Sequence, residues 1–284
     1  MKLRAGEMKL MEQLVLQLSG VSLDASKAYL IETRLGHLAD RAGCSNFNEL
    51  YFRLRHGGDP ALVCEVVDAI TTHETTWFRD GAPFDALEQR LLPDLIERAR
   101  GRGSRRLRIW SAACSSGQEP YSLAMLLHER LPDAADWDVQ ILATDISEGT
   151  LERAREAVYS PLEMGRTSRP PLMRRYFERA GSGSRPIASV RAMVDFRQRN
   201  LLLPISGIGP FDLVLLRNVL IYFEPDTRRS IVQRVARVMA PHGYLMVGGS
   251  ESLRDCGPQF QPRSCCGAAV YQPNAQPPAP TNGR

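Results

Sequence analysis

Leu107-Arg108-Ile109-Trp110-Ser111-Ala112-Ala113-Cys114-Ser115-Ser116-Gly117-Gln118-Glu119-Pro120 changes character halfway along. A short run rich in apolar residues gives way to consecutive small residues and then to a helical pattern over 120–130. That order reads as a strand, a tight turn and a helix. The same unit recurs downstream. A strand is expected over 138–145 and a helix over 148–157, and the near-continuous apolar run 211–216 has the composition of a buried parallel strand. A helix over 227–239 and a strand over 243–247 complete the alternation. Strands and helices alternating at this interval predict an α/β fold with a doubly wound sheet.

Residues 160–200 break the rhythm. They hold Pro161, Pro170, Pro171, Gly181, Gly183 and Pro186, with Arg and apolar residues interleaved around a Gly-Ser turn. We read 160–193 as a small inserted antiparallel β subdomain that rejoins the sheet at 194–197. Residues 1–72 read as an all-helical domain: Ala28, Ile31, Leu35, Leu38 and Ala42 repeat at helical spacing, and Gly43 is placed to stop the helix. A linker is expected over 73–105, a main domain over 106–272 and a Pro-rich, disordered tail over 273–284.

The chain has 284 residues, 43% hydrophobic and 24% charged, enough for one large domain plus a smaller module. No window of about 18 uninterrupted apolar residues exists, and charged residues punctuate the first twenty, so neither a membrane-spanning nor a secreted chain is expected. The formal charge is +4, yet nine Arg against Glu178 and Asp195 give +7 between Arg166 and Arg199 alone. Such a patch points to an acidic partner, with an ordinary solvated face as the plain alternative. Lys27, Arg34 and Arg41 recur every seven residues along a helix edge, a second basic surface or simply another solvated edge. The six cysteines form no C-x-x-C pair and have no His at zinc-ligand spacing, which predicts free thiols in a reducing cytoplasm and no metal site.

The turn 111–120 lies where α/β sheets bind ligands, at the carboxyl end of the first strand. It holds only Gly117 where a dinucleotide fingerprint needs three glycines, so phosphate binding is disfavoured. Asp145 closes the second strand, where a carboxylate can accept from both ribose hydroxyls; the alternative is an acid at a helix N-terminus. Asn200, after the third strand, is placed for an adenine edge. A ribose acceptor and an adenine contact without a phosphate loop indicate S-adenosylmethionine rather than NAD. Glu119 has two readings: the last residue of a capping box Ser116-Gly117-Gln118-Glu119, or a carboxylate facing the ammonium or sulfonium part of that cofactor.

Four motifs in order, T-T-x-E-T-x-x-F-R from Thr71, W-S-A-A-x-S-x-G-x-E-P-Y-S from Trp110, A-T-D-I from Ala143 and R-N-V-x-I-Y-F from Arg217, give the chain its family likeness. It resembles the CheR-type chemotaxis receptor methyltransferases from the helical domain to about residue 272. The resemblance implies an S-adenosylmethionine-dependent methyltransferase sheet and transfer of a methyl group to glutamate side chains of chemoreceptors. It implies that His73, Thr75, Arg79, Glu119, Asp145, Asn200, Leu201, Arg217 and Asn218 line the cofactor site, with Arg79 and Tyr222 near the transferred methyl group. One position departs: the family commonly has Asn where this chain has His73. The inserted hairpin and the basic helix match features that the family links to receptor docking, and a cytoplasmic monomer that binds no nucleic acid is expected. The 217–220 segment lacks the N/D-P-P-Y turn of DNA amino-methyltransferases. Two other classes frame the expectation: a non-catalytic cofactor-binding sensor, disfavoured because Arg79 and Tyr222 are present, and an NAD-dependent oxidoreductase, disfavoured by the missing glycines.

Overall fold

The computed structural model describes residues 1–23, 27–131 and 136–274. Its centre is a seven-stranded sheet in the order β5-β2-β1-β6-β7-β9-β8. The strands are β1 (Arg106–Ala112), β2 (Asp138–Asp145), β5 (Val194–Gln198), β6 (Phe211–Leu216), β7 (Met239–Val247), β8 (Phe260–Cys265) and β9 (Ala268–Pro273). The first five neighbours are parallel and β9 and β8 close the sheet antiparallel. Strand order reverses at β1, which lies between β2 and β6, so the carboxyl edge there is the natural ligand crevice.

Alternation along the strands supplies two cores. Leu107, Ile109, Leu213, Leu215 and Met246 face one layer, and Trp110, Ala112, Val214, Leu216 and Leu245 face the other. The 73–105 segment, expected as a linker, is instead part of the first layer. Helix Leu92–Gly101 and the turns before it bury Phe84, Leu87, Leu91, Leu92, Leu95 and Ile96 against the sheet. Its apolar positions repeat at helical spacing, and only residues 73–81 and 102–105 run without a helix.

Core helices fall within two residues of their expected ends: Gln118–Arg130, Glu148–Glu156 and Pro225–Arg237. The strand expected over 243–247 begins earlier, at Met239. The hairpin β8–β9 carries no clear alternation and was not expected. Gln272 and Pro273 pair in it with Gln261 and Phe260, so the chain stays in the sheet past the expected start of the tail, whose residues 275–284 lie outside those described.

The insertion does contain an antiparallel hairpin, β3 (Phe177–Ala180) with β4 (Gly183–Pro186), but short helices carry it. Pro161, Pro170 and Pro171, which read as interruptions, sit in the first turns of helices Pro161–Gly165 and Pro170–Tyr176, where a missing N–H costs nothing. Ser160 and Glu163 close a capping box on the first of these.

The N-terminal domain has its own core of Met11, Leu14, Val15, Ile31, Leu35, Phe47, Leu50, Val66 and Ile70. Asn46 and Asp59 cap helices Phe47–His56 and Pro60–Ile70 through their side chains. The helical stretch from Ala28 ends at Gly43 as expected: Gly43 takes φ 71° and the Cys44 N–H reaches the Ala39 carbonyl. The two domains are joined by hydrogen bonds at the crevice. Asn200 Nδ2 donates to the Leu18 carbonyl (2.8 Å), Ser22 N–H to the Tyr222 carbonyl (3.3 Å), and Gly149 N–H to Asp68 Oδ2 (3.3 Å).

The basic helix edge is largely committed. Arg34 is half-buried and donates to the carbonyls of Ile70 and Thr71 at 3.3 and 3.2 Å, and Arg41 pairs with Glu65. All six cysteines are free thiols. Among the described residues no helix is long and apolar enough to cross a membrane, and no cluster of ligating side chains could hold a metal ion.

Candidate functional site

A cleft of about 840 Å³ opens at the carboxyl edge of β1, β2 and β6, roofed by Ser19 and Val21 of the N-terminal domain. Its lining includes His73, Thr75, Arg79, Glu119, Asp145, Arg217, Asn218 and Tyr222. Asn200 and Leu201 line an adjoining recess that shares Ser19, Ala113, Asp145, Ile146, Val219 and Phe223 with it. The ten residues named from sequence therefore surround one continuous depression.

The turn after β1 is small because its backbone is strained. Ala113 and Ser115 adopt φ 61° and 51°, and Gly117 adopts φ 94°, where a Cβ would lie 3.1 Å from both Ala154 and Tyr159. Ser115 uses both its groups: its N–H donates to Asp145 Oδ2 (2.8 Å) and its hydroxyl to the His73 carbonyl (2.8 Å). Asp145 is 7% exposed and also accepts from Ser147 N–H at 3.1 Å. Burial raises its carboxyl above the ordinary aspartate range, against the pull of those backbone donors and His73. Lone pairs remain for a ribose diol. Cys114, next to it, is buried, and burial followed by the charges of Asp145 and Glu119 pushes its thiol well up, which disfavours the thiolate.

Glu119 forms no capping box. Helix Gln118–Arg130 begins after Gly117 without a side-chain cap, and Ser116 Oγ turns to Gln118 Oε1 instead. The Glu119 carboxylate accepts from Ser111 Oγ (2.8 Å) and Arg217 Nη1 (2.9 Å), which holds it toward the cleft. Arg217 is the hub of this wall. Its side chain is fully buried; Nη2 donates to Asp80 Oδ2 and to the Arg79 carbonyl, both at 2.9 Å, and the guanidinium lies 5.6 Å from the Phe84 ring centroid. It reaches a ligand mainly by fixing Glu119 and the Arg79 backbone.

The segment before the first helix layer brings His73, Thr75 and Arg79. His73 Nε2 lies 2.9 Å from Thr71 Oγ1 and 3.2 Å from the Asp68 carbonyl. Since Thr71 Oγ1 donates to the Val67 carbonyl and Asp68 O can only accept, this network assigns the proton to Nε2. Arg79 sits between two residues with positive φ, Phe78 (53°) and Asp80 (72°). Its Nη1 donates to the Glu74 carbonyl at 2.8 Å, and the rest of its fork has no partner among the described residues. Trp77 anchors the segment to the insertion, packing edge-on against Tyr159 and Phe177 at 4.7 and 5.0 Å.

Sequence reasoning missed Asp80 and Glu251. Glu251 is buried, and its carboxylate receives backbone N–H groups of Asn218, Val219, Leu220 and Ile221. The Gly248-Gly249 pair after β7 was the only signal available, a turn at the ligand-bearing edge.

A nucleoside cofactor fits these residues: a buried carboxylate with spare acceptors and a glycine turn that no side chain fills. Residues 73–266 match the CheR methyltransferase, SAM binding domain, and residues 6–71 match the CheR methyltransferase, all-alpha domain. Chemotaxis protein methyltransferase 1 of Pseudomonas aeruginosa is 42% identical over 259 residues, covering 89% of this chain and 92% of that protein. Chemotaxis protein methyltransferase 1 of Vibrio cholerae is 39% identical over 257 residues, covering 89% and 91%. Among solved structures, a glycopeptide N-methyltransferase complexed with sinefungin is 15% identical, covering 54% of this chain and 47% of its own, with a TM-score of 0.32.

Proposed function

The chain belongs to the CheR methyltransferase family, and from that premise we propose that it methylates glutamate side chains of bacterial chemoreceptors, giving glutamyl methyl esters. Its cofactor is S-adenosylmethionine, held by Asp145 at the ribose, by Asn200 and Leu201 at the base, and by Glu119 near the charged end, with His73, Thr75, Arg217 and Asn218 around it.

When bound, the cofactor supplies an electrophilic methyl group on a sulfonium sulfur. A glutamate carboxylate is ionised at neutral pH, so no base is needed and no proton moves. The bound cofactor would give up this methyl group to one carboxylate oxygen with loss of its carbon–sulfur bond, so that S-adenosylhomocysteine would be the leaving product. The protein's task is alignment. Arg79 offers its uncommitted N–H groups to the incoming carboxylate, charge-assisted and directional, and Tyr222 aligns the attacking oxygen. Proximity then supplies the main rate term. The observation that carries this reading is that Arg79 and Tyr222 line the same cleft as Asp145 and Glu119.

Chemoreceptor cytoplasmic domains are the proposed partner, met by a monomer in the cytoplasm. Arg174 and Arg179 on the insertion have no ion-pair partner among the described residues and line a shallow groove beside β3, which supports docking there. The helix edge contributes less, since Arg34 and Arg41 are engaged internally.

The test is methyl transfer from labelled cofactor to receptor cytoplasmic domains, with glutamate-to-alanine substrates as controls. Arg79→Ala should abolish most turnover while calorimetric affinity for S-adenosylhomocysteine stays near wild type. Equal loss of both would remove the role given to Arg79.

A further inference from the structure

Three consecutive backbone N–H groups converge on one oxygen that lies thirty residues away in sequence. Glu251 Oε1 accepts from Val219 (3.0 Å), Leu220 (2.7 Å) and Ile221 (3.3 Å), and Oε2 accepts from Asn218 (2.8 Å) and Gly248 (2.6 Å). The segment they belong to is the short 3-10 turn Leu220–Tyr222 that follows β6 and presents Tyr222 to the cleft. A helical turn leaves its first N–H groups without partners, and Val219, at the start of this one, provides no side-chain cap. Asn218 adds backbone strain at φ 57°. The N–H groups of residues 218–221 would be orphaned without Glu251.

From this geometry we infer that Glu251 is the positioning residue for Tyr222: its carboxylate sets the shape of the 218–222 turn and thereby the place of the phenol beside the methyl site. Glu251 is not among the residues that line the cleft. It stands just after β7, and its own N–H bonds to the Gly248 carbonyl at 2.9 Å, so the rigid end of one strand clamps the loop leaving its neighbour. Both oxygens are needed as acceptors. Glutamine has one acceptor oxygen and an NH₂ that would face other donors, so a carboxamide cannot satisfy the same set. Aspartate keeps the charge but is one methylene too short to meet both sides.

This inference rests on the methyl transfer proposed above, and its test separates the two. In Glu251→Gln, amide exchange of residues 218–221 should accelerate, and kcat for receptor methylation should fall on the order of 100-fold, the cost of a misplaced group, with KM for the receptor little changed. In the Tyr222→Phe background the same substitution should cost under about 3-fold, because the group it positions is already gone. Unchanged exchange at 218–221, or equal fractional losses in the two backgrounds, overturns the assignment. Glu251→Asp, expected between glutamine and wild type, is read the same way if Glu251→Gln does not fold. If the wild-type protein transfers no methyl group, the proposed function is what fails, and the exchange data still decide whether Glu251 holds the turn.

Discussion

The two loops that form the cleft floor differ in how much of their shape comes from within and how much from outside. The 113–117 turn after β1 takes much of its shape from its own backbone, with small residues, three positive φ values and a glycine with no room for a side chain, and outside bonds from Ser115 to Asp145 and His73 add to it. The 217–222 turn after β6 is held from outside, by Glu251 on its N–H groups and by Arg217 reaching back to Asp80 and Glu119. A turn shaped by its own residues tolerates changes elsewhere. One clamped by distant charges fails when either clamp is removed.

The largest effect should come from Arg217→Met. It leaves Glu119 nearly buried without its cation, and breaking such a pair costs about 3 kcal/mol; Asp80, almost half exposed, adds little. Urea denaturation should report that loss, together with weaker S-adenosylhomocysteine binding, whereas near-wild-type stability would show that the second turn does not depend on its clamps.

Asp145→Asn comes next. Losing charged acceptors for a diol should weaken S-adenosylhomocysteine by about 2 kcal/mol, roughly 30-fold. Because burial raises the Asp145 carboxyl, its neutral form accumulates at a pH where an ordinary aspartate is still ionised. Wild-type affinity should therefore fall on acidification sooner than an exposed aspartate would allow, and that dependence should be absent from the asparagine variant. A calorimetric pH series with the same profile for both proteins would assign the titration elsewhere.

Gly117→Ala tests the self-held turn. Positive φ and the 3.1 Å approaches to Ala154 and Tyr159 predict about 1.5 kcal/mol of destabilisation, with exchange at 218–221 unaffected. Coupled loosening of both turns would erase the distinction between them. Smallest is Arg34→Ala, about 1 kcal/mol by chemical denaturation, since its bonds to the Ile70 and Thr71 carbonyls steady the entry to His73 from outside the cleft. If receptor affinity fell while stability held, the helix edge would be a docking surface after all.

Charge behaves as the loops do. Between Arg166 and Arg199 the chain reads as +7, yet Arg166 pairs with Glu74, Arg169 with Asp85 and Glu88, and Arg175 with Glu129. Those acids lie outside the segment, so the folded patch is weaker than its local sum, and Arg174, Arg179, Arg191 and Arg199, which pair with no acid among the described residues, carry what remains. The sequence could not reveal this, because the ion pairs span 46 to 92 residues.

What local patterns encode was readable in the sequence alone. Strand alternation, helical spacing, the small residues of 113–117 and the acid closing β2 are short-range features, fixed by backbone sterics and by periods of two and 3.6 residues. They placed β1, β2, β5, β6 and β7, the ligand-bearing edge, and Glu119, Asp145 and Asn200 on it; the other residues named for the cleft came from the resemblance carried by the four family motifs. Only the tertiary structure decided what those residues hold. Glu119 abandons its local cap for Arg217, 98 residues away, Arg34 spends its charge on carbonyls 36 and 37 residues on, and Glu251 takes over a turn 30 to 33 residues before it. The reason is physical: a buried polar group takes whichever partner the packed chain brings within 3 Å, and which partner that is depends on strand order and domain docking, which no local period records.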